Sequence, residues 1–555
     1  MSGAYMQTFG ERRQKLYEGI VLVEASVCTE QYRTATRERP YSRLLDSTNL
    51  LNLQNSQFET NLKAAKENLK KLKENQRTSR ENLRNLKENQ RTSKESLKTL
   101  NIANKENSIS EMRLDYGPLS RRPAPLDLDL DYDYFLNTIS KGRRPAELRE
   151  LTSLIAKLPP DAIKFGVGVP NGSTFPFKEI KVTLKDNSVA VIDGERLAEA
   201  LQYLPSSGMA SLISTLKDVQ DRVHGTQDWT KRNIIITAGA QEGLCKVVEM
   251  VVEPGDAVIL QNPVYTGVLD CFRPYQCEYI AVDMDQDGMR PDILREMLAD
   301  RKREQKPMPK IMYVNPTAAN PCGVTLSEER KREIYQLACE YNFLILEDDP
   351  YYYLGFDETY PVSFLSMDTE GRVLRCDSFS KILSSGLRLG FVTGPMPLLR
   401  RLELHMQVST LHASALSQVV LYQLLKKWGF EGLREHFAGI KKFYRQKRDL
   451  MIAAAQKHLT GLAEWNNPSG GMFLWLRVKG IDDARSLVTK RCVDNNLVCA
   501  PGYVFMADGN KPCPYMRLSF SLCSAEQIDM GISRLARLIR EEQLATRLPC
   551  QCVQV

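Results

Sequence analysis

The middle of the chain alternates short apolar runs with amphipathic stretches. The runs are nearly continuous in apolar residues, which is typical of strands buried on both faces of a sheet. Helical stretches separate most of them, so we predict an α/β layer architecture. The predicted strands span residues 234–237, 257–260, 279–282, 310–314, 343–346, 373–374 and 389–392.

A different pattern follows the last of these strands. Residues 396–460 have the pattern of long helices. Residues 461–545 mix strand candidates, at 472–478 and 516–521, with helices, so we predict a second, smaller α/β domain there. The final residues, 546–555, are predicted to be a frayed tail.

The N-terminal part carries a polar repeat. Residues 41–116 contain neither Gly nor Pro, and Leu-Lys-Glu-Asn-Gln-Arg-Thr-Ser occurs at 72–79 and again at 86–93. The 14-residue spacing equals two heptads, which favours a coiled coil that adds oligomerisation. The leucines of the repeat would form an apolar stripe along a helix, but in alternate heptads Gln and Ser occupy that stripe. The alternative is therefore a solvated single helix or a disordered tail. Prolines and an acidic run form a linker before residue 132, where the folded part is predicted to begin.

These patterns together predict how the chain divides. At 555 residues it exceeds a single ordinary core, so more than one globular unit is expected. The predicted segments are a helical or disordered N-terminal extension at 1–131, an N-terminal arm with a small-domain segment at 132–185, a large domain at 186–440, a small C-terminal domain at 441–545 and a tail at 546–555.

Composition narrows the classes of function. The chain has 43% apolar and 26% charged residues, as globular proteins do, and a net charge of +7 that is modest for its length. Much of the basic character lies in the first 150 residues, so we infer no nucleic-acid groove. No apolar run approaches the ~18 residues of a transmembrane span, so no membrane partner is predicted. The thirteen cysteines are scattered, and neither they nor the five histidines show the spacing of a zinc site, so no metal centre is predicted. Reduced thiols in an intracellular compartment fit this pattern best.

The N-terminus leaves the compartment open between cytosol and mitochondrion. It lacks the apolar core of a secretory signal. Arg12, Arg13 and Lys15 suggest a transit peptide, whereas Glu11 and Glu18 argue against one.

One lysine follows a predicted strand in a setting that suits a phosphorylated aldehyde. Lys381 comes after the apolar pair at 373–374, with Ser378 and Ser380 before it and Arg388 after it. An amine can form a Schiff base, and hydroxyls with a guanidinium can hold a phosphate dianion. Taken alone, the pattern fits an ordinary solvated lysine as well.

Two turns lie at other predicted strand ends, where open α/β sheets bind ligands. Residues 238–243 (Ala-Gly-Ala-Gln-Glu-Gly) lead into a helix whose free N–H groups favour a phosphate. Residues 320–323 (Asn-Pro-Cys-Gly) follow the strand that ends at Val314, and the Asn amide can donate to a phenolate oxygen. Each of them also fits a plain turn.

Charged residues accompany apolar runs at two further places. Asp348 and Tyr351 follow the run at 343–346, where a buried carboxylate needs a cation such as a pyridinium N–H. Magnesium, bound by Asp348 and Asp349, is the alternative, although no phosphate-loop Gly-Lys-Ser/Thr accompanies the pair. Arg517 lies within an apolar strand, which suits either a planar anion such as an α-carboxylate or a structural salt bridge.

In chain order these motifs resemble those of the fold-type I pyridoxal-phosphate aminotransferases of class I/II. Within that class the chain is similar to the kynurenine/α-aminoadipate aminotransferase group. The resemblance implies an aspartate aminotransferase-like large domain with a mixed, mostly parallel sheet, a smaller α/β domain, pyridoxal 5′-phosphate as cofactor and a homodimer with shared active sites. It covers about 145–545, with supporting stretches at 241–246, 346–352, 377–382, 408–412 and 471–475.

The resemblance also implies roles for individual residues. Lys381 is expected to carry the cofactor and shuttle a proton, Asp348 to pair with the pyridine nitrogen and Tyr265 to stack on the ring. Arg517 is expected to bind the substrate α-carboxylate, and Tyr203 to reach the cofactor phosphate of the other subunit. The remaining expected contacts are Asn320, Tyr351, Ala240, Gln241, Ser378, Ser380 and Arg388 for the cofactor, and Gly168, Arg149, Asn320 and Phe473 for the substrate.

Two positions depart from the pattern of that group. Position 240 is Ala where the group usually has Ser, which removes one hydroxyl from the phosphate site, and Cys322 stands in place of Thr. Neither belongs to the Lys, Asp and Arg set on which the chemistry depends. Residues 1–131 have no counterpart in the group.

The implied activity is transamination by ping-pong kinetics, from a large or aromatic amino acid to a 2-oxo acid. Kynurenine and 2-aminoadipate are the expected donors and 2-oxoglutarate the expected acceptor. A DNA-binding regulator would need Gly-bearing turns, which residues 41–116 lack. An interaction protein with an inert enzyme domain would not need Lys381, Asp348 and Arg517 together. A lyase or decarboxylase of the same fold is a further alternative.

Overall fold

The structure is a computed structural model. It describes residues 126, 130–148, 150, 159, 162–163, 165–166, 168–225 and 227–547. The repeat at 72–93, with its coiled-coil and disordered-tail alternatives, lies outside the described residues, and so does Arg149. Within the described ranges, no helix combines the length and the apolar character that crossing a bilayer requires.

The strands of the described ranges are short. They are β1 (Ile180–Thr183), β2 (Val189–Ile192), β3 (Arg232–Thr237), β4 (Ala257–Asn262), β5 (Glu278–Asp285), β6 (Gly288–Met289), β7 (Ile311–Val314), β8 (Leu344–Asp348), β9 (Val373–Ser378), β10 (Gly390–Pro395), β11 (Ala463–Trp465), β12 (Phe473–Val478), β13 (Ala500–Pro501) and β14 (Tyr515–Ser519).

The α-helices lie between most of these strands. They are α1 (Tyr132–Phe135), α2 (Thr138–Gly142), α3 (Gly194–Leu201), α4 (Ala210–His224), α5 (Ala240–Val251), α6 (Thr266–Phe272), α7 (Pro291–Arg303), α8 (Glu328–Tyr341), α9 (Phe364–Met367), α10 (Met396–Val408), α11 (Ala415–Leu459) and α12 (Ala525–Arg547). Short 3₁₀ turns occur at Gly172–Thr174, Arg273–Tyr275, Tyr352–Leu354 and Gly502–Phe505, and a π-helical turn at Leu487–Cys492.

The large sheet has eight strands in the order β3-β10-β9-β8-β7-β4-β5-β6. Strands β4, β5, β7, β8 and β9 pair in parallel, whereas β10 runs antiparallel to both of its neighbours. Alternate side chains along a strand enter different apolar clusters: Leu344 and Leu346 belong to one, and Ile345 to another. Because side chains alternate across a sheet, this pattern shows that both faces of the sheet are covered.

A second sheet, entirely antiparallel, has the order β11-β12-β14-β13. The long helix α11, which precedes it, departs from helical geometry at Gly429, where φ is 60°. The predicted α/β fold, with a mixed, mostly parallel large sheet and a smaller sheet after it, is confirmed. The predicted segment boundaries stay predictions.

Candidate active site

Four neighbouring strands of the large sheet end at one edge, and predicted site residues follow each of them. Tyr265 lies just after β4, Asn320 after β7, Tyr351 after β8 and Lys381 after β9. These four strands are adjacent in the sheet and mutually parallel. The carboxyl edge of such a sheet is where open α/β proteins bind their ligands.

Asp348, the last residue of β8, is a buried carboxylate with one unpartnered oxygen. The residue is 3% exposed, and the Tyr313 hydroxyl donates to its Oδ2 at 2.8 Å. Its Oδ1 has no hydrogen-bond partner among the described residues. Burial raises the pKa of Asp348 to about 7, and the Tyr313 hydrogen bond opposes that rise. A buried acceptor needs a donor, and a cationic N–H would best restore the charged form.

The acidic residues on either side of Asp348 are engaged with one buried arginine. Arg375 pairs with Glu347 at 3.1 Å and with Asp349 and Asp377 at 3.0 Å each. The two adjacent aspartates therefore do not converge on a single cation. In the part of the chain that the structure describes, no group of three or more His, Cys, Asp or Glu side chains is arranged to hold a metal ion. The magnesium alternative has no support from this geometry.

Asp348 is expected to make the ligand-free protein less stable as pH rises from about 4 to about 7. A raised pKa means that the folded state holds the proton more tightly than the unfolded chain does. The resulting stability is complete below the unfolded pKa of ~3.9 and is lost as pH rises through the folded pKa.

Urea unfolding of the wild type and of Asp348→Asn, at acidic and at mildly alkaline pH, checks this expectation. The free energy of unfolding should fall with pH more steeply in the wild type, since the other buried carboxylates are common to both proteins. An equal pH dependence in the two proteins would contradict it.

Lys381 lies half-buried in the turn that follows β9. Its pKa is lowered, first by burial and then by the positive charges of Arg517 and Arg388, while Asp348 opposes the shift. A lowered pKa increases the neutral fraction of the amine, which is the nucleophilic form. Three other predicted site residues, Arg517, Arg388 and Asp348, are therefore close enough to act electrostatically on Lys381.

Arg388 packs against the turn that starts helix α5. Gly239 has a φ of 83° and caps this helix, and a Cβ at this position would lie 2.8 Å from Arg388 Nη2. Arg388 Nη2 donates to the Ala238 carbonyl at 3.1 Å. On the neighbouring turn, the backbone N–H of Ser380 donates to Ser378 Oγ at 3.2 Å. Helix N–H groups, hydroxyls and a guanidinium are the donors with which proteins hold a phosphate.

Helix α5 begins with Ala240 and Gln241, two of the predicted phosphate contacts. The Tyr265 hydroxyl donates to Gln241 Oε1 at 3.2 Å, and Gln241 Nε2 donates to the Gly267 carbonyl at 2.8 Å. A Cβ at Gly267 would lie 2.5 Å from Tyr265 Cζ, so only Gly leaves the ring in this position. Burial raises the pKa of Tyr265, and the Asp348 carboxylate adds to the shift. The Tyr265 hydroxyl is therefore held in its protonated form.

The Arg517 guanidinium lies among aromatic rings and, within the described ranges, forms no ion pair. Its carbon is 4.2 Å from the centroid of the Phe473 ring and 4.8 Å from that of Phe505. Nη1 donates to Asn320 Oδ1 at 2.8 Å, while the buried Nε has no acceptor. The Phe473 ring in turn makes an edge contact with Tyr351, at 6.0 Å between centroids. An arginine so placed suits a planar anion rather than the salt bridge of the alternative interpretation.

Two of the predicted residues, Gly168 and Tyr203, are exposed in the single chain. A Cβ added at Gly168 would meet no atom within 4 Å beyond its chain neighbours. Tyr203 is 48% exposed, and its ring makes an edge contact with His412, at 6.0 Å between centroids. The roles expected for these two residues and for Arg149, like those of the other predicted site residues, stay predictions.

The sequence did not single out Tyr313 or Asn315, although both support the site. Asn315 Nδ2 donates to the Asp348 carbonyl at 2.7 Å, and Asn315 Oδ1 accepts from the Asn320 backbone N–H at 2.7 Å. A tyrosine inside the apolar run at 310–314 and an asparagine directly after it were the available signals. That both residues contact Asp348 could not be read from the sequence, because it depends on β7 and β8 being neighbours in the sheet.

The arrangement fits pyridoxal 5′-phosphate, the cofactor that the resemblance implies. The unpartnered Oδ1 of Asp348 matches a pyridinium N–H. The donors around Arg388 match a phosphate, and Lys381 supplies an amine of lowered pKa.

Comparisons with known proteins agree with this geometry. The family described as aminotransferase class I and II matches residues 160–535. A mitochondrial kynurenine/alpha-aminoadipate aminotransferase from Bos taurus is 44% identical over 420 residues, which cover 73% of this chain and 98% of the relative.

Solved structures lead to the same family. Aminotransferase Aro8 from Candida albicans has a TM-score of 0.68 at 26% identity, covering 76% of this chain and 100% of that one. The kynurenine aminotransferase of Pyrococcus horikoshii, solved in complex with PMP, has a TM-score of 0.59 at 31% identity. The match covers 74% of this chain and 98% of that one. Since the matched residues make up most of the chain, the protein belongs to the class I and II aminotransferases, and it is a pyridoxal phosphate-dependent transaminase.

Proposed function

We propose that this enzyme transfers the amino group of a large or aromatic amino acid to a 2-oxo acid. Kynurenine and 2-aminoadipate are the donors to test first, with 2-oxoglutarate as acceptor. The observation that carries the proposal is the buried, unpartnered Oδ1 of Asp348, which lies within electrostatic range of the Lys381 amine. Relatives named kynurenine/alpha-aminoadipate and aromatic-amino-acid aminotransferases support the choice of donors.

The roles of the site residues follow from their chemistry. When bound, pyridoxal phosphate supplies an aldehyde for amine exchange and a ring that withdraws electrons from the substrate α-carbon. Asp348 Oδ1 would accept a hydrogen bond from the ring nitrogen and stabilise its positive charge. Lys381 Nζ would hold the cofactor, and its amine would move the proton of the substrate α-carbon. Tyr265 would stack on the ring, and the Asn320 amide and the Tyr351 hydroxyl would donate to its 3-oxygen.

Different residues would bind the cofactor phosphate and the substrate carboxylate. The phosphate would be held by the donors at the start of helix α5, and by the hydroxyls and guanidinium at the end of β9 and in the segment that follows it. The substrate α-carboxylate would bind Arg517, whose Nε lacks an acceptor among the described residues. Phe473 borders the pocket for the substrate side chain, and Gly168 and Arg149 are its expected neighbours. The phosphate donors are Ala240, Gln241, Ser378, Ser380 and Arg388.

A spectroscopic titration tests the proposed reaction. Kynurenine and 2-aminoadipate, added separately to the cofactor-loaded enzyme, should each remove its visible absorption band, and 2-oxoglutarate should restore it. The donor that reacts faster identifies the preferred substrate. Loss of carbon dioxide or cleavage of the donor side chain, with the band returning before any 2-oxoglutarate is added, would instead favour a decarboxylase or a lyase.

Arg517→Gln is expected to raise the KM for the amino acid donor about 10–100-fold. The change removes charged hydrogen bonds that contribute ~1.5–3 kcal/mol. Arg477→Gln is the matched control, because Arg477 lies on the neighbouring strand β12, is 50% exposed and pairs with Glu464. Steady-state kinetics with both donors measure the effect, and an unchanged KM in Arg517→Gln would exclude the carboxylate assignment.

A homodimer with shared active sites is also part of the proposal, with Tyr203 reaching the cofactor phosphate of the other subunit. Tyr203→Phe should weaken cofactor binding by about threefold to tenfold, since it removes one hydrogen bond. At a cofactor concentration too low to saturate Tyr203→Phe, mixing it with the inactive Lys381→Ala should raise activity above that of Tyr203→Phe alone, because one hybrid site combines an intact Lys381 with an intact Tyr203. Sedimentation as a monomer, or no gain on mixing, would argue against shared sites.

We propose the mitochondrion as the compartment, since several relatives are named as mitochondrial enzymes. Cell fractionation against cytosolic and mitochondrial markers, using the full chain, tests this assignment. Recovery of the protein with cytosolic markers alone would overturn it.

A further inference from the structure

Two cysteines on neighbouring helices face each other beside the cofactor pocket. Cys245 lies on α5 and Cys271 on α6, and their Sγ atoms are 2.7 Å apart, compared with ~2.05 Å in a disulfide. We propose that Cys245 and Cys271 are a reversible thiol-oxidation site that closes to a disulfide in the presence of a small-molecule disulfide such as oxidised glutathione. This site is separate from the transamination chemistry.

The two thiols have unequal reactivity. The hydrogen bond from Cys271 lowers the pKa of Cys245 to about 7, and Gln241 and Lys246 act in the same direction. The same hydrogen bond, together with burial, raises the pKa of Cys271. Cys245 is therefore the more readily ionised thiol and Cys271 retains its proton, as in a pair of attacking and resolving thiols.

Both sulfurs contact the amide of a proposed cofactor residue. Gln241 Nε2 lies 3.3 Å from Cys271 Sγ and 3.8 Å from Cys245 Sγ. The opposite atom of that amide accepts the Tyr265 hydroxyl at 3.2 Å. A disulfide would therefore join the helix that starts with the phosphate contacts to the helix that follows Tyr265.

Exposure separates this pair from the buried cysteines of the described ranges. Cys245 and Cys271 are partly exposed, so a small disulfide can reach them, whereas Cys322 and Cys376 are buried. Cys277 is partly exposed as well, but burial raises its pKa to about 11. Cys277 is therefore a poor nucleophile at neutral pH and a suitable control.

The reaction proceeds by two exchanges. The Cys245 thiolate attacks one sulfur of oxidised glutathione, whose S–S bond breaks, and one glutathione thiolate leaves and takes up the proton of Cys271. The Cys271 sulfur then attacks Cys245 Sγ, and the second glutathione leaves as a thiolate. Two protein thiols are oxidised to one disulfide while one small-molecule disulfide is reduced to two thiols.

Peptide mapping of the full-length, cofactor-loaded protein tests the proposal. After incubation with oxidised glutathione and acid quenching, free thiols are blocked with N-ethylmaleimide and the digest is analysed without reduction. A peptide that joins Cys245 to Cys271 is expected, lighter by two hydrogen atoms than the separate thiol peptides, and dithiothreitol should abolish it. Because this readout is a mass, it is independent of whether transamination occurs.

Variants assign the order of attack. Cys271→Ser is expected to stop at a glutathione adduct on Cys245, Cys245→Ser to carry no adduct on Cys271, and Cys277→Ser to give the same linked peptide as the wild type. Wild-type protein in which Cys245 and Cys271 are both recovered as maleimide adducts, or both as glutathione adducts, would overturn the proposal without reliance on any variant.

Discussion

Lys381→Ala is expected to lower kcat for transamination by about 10⁴-fold or more. The change removes the only group to which the proposed mechanism assigns proton transfer at the α-carbon, and it removes the covalent anchor of the cofactor. The amine suits both tasks because burial and two nearby guanidinium groups lower its pKa. Half-reaction rates, followed by absorbance after cofactor loading, separate the loss of proton transfer from any loss of binding.

Two controls make the Lys381 result specific. Small amines such as methylamine should restore part of the activity of Lys381→Ala, because they can occupy the vacated space and accept the proton. Lys381→Arg should stay inactive with or without added amine, since it keeps the positive charge but a guanidinium does not release its proton. Wild-type kcat in Lys381→Ala would exclude this lysine from the chemistry.

Asp348→Asn is expected to lower kcat by about 10²–10³-fold, the usual effect of removing one preorganised electrostatic group from an active site. The amide keeps the shape of the side chain but carries no negative charge, so it stabilises a protonated ring nitrogen far less well. Substrate contacts are untouched, so the KM for the donor should change little. Steady-state kinetics measure both constants.

Tyr313→Phe is the matched control for Asp348. It removes the hydroxyl that donates to Oδ2 at 2.8 Å and leaves Oδ1 in place. We expect a loss of about tenfold, in line with one hydrogen bond to a charged group. A larger loss in Tyr313→Phe than in Asp348→Asn would show that the charge of Asp348 is not the important property.

Three consecutive acidic residues at the end of β8 have different partners, and the site depends on this difference. Glu347 and Asp349 both pair with Arg375, whereas Asp348 between them accepts from Tyr313. Side chains alternate along an extended chain, so residues 347 and 349 point one way and residue 348 the other. The Asp348 carboxylate therefore stays available for a ligand, while Arg375 balances the charges of Glu347 and Asp349.

Much of the fold could be predicted from local patterns. The apolar runs at 310–314 and 343–346 correspond to strands Ile311–Val314 and Leu344–Asp348, because burial on both faces requires continuous apolar sequence. The position of β10 could not be predicted. It lies antiparallel between β3 and β9, and no local pattern specifies which distant strand will be its partner.

The α/β class and the residues able to perform the chemistry could be inferred without a structure, since apolar periodicity and side-chain type are local properties. Three features of the described residues required the folded arrangement: Asp348 Oδ1 lacks a hydrogen-bond partner, Arg517 contacts aromatic rings and an amide rather than a carboxylate, and two cysteines touch. These features depend on neighbours that are distant in the chain: 35 residues separate Tyr313 from Asp348, and 197 separate Asn320 from Arg517. Burial and hydrogen bonding at the site arise from contacts between such distant residues, and these residues meet only when the chain folds.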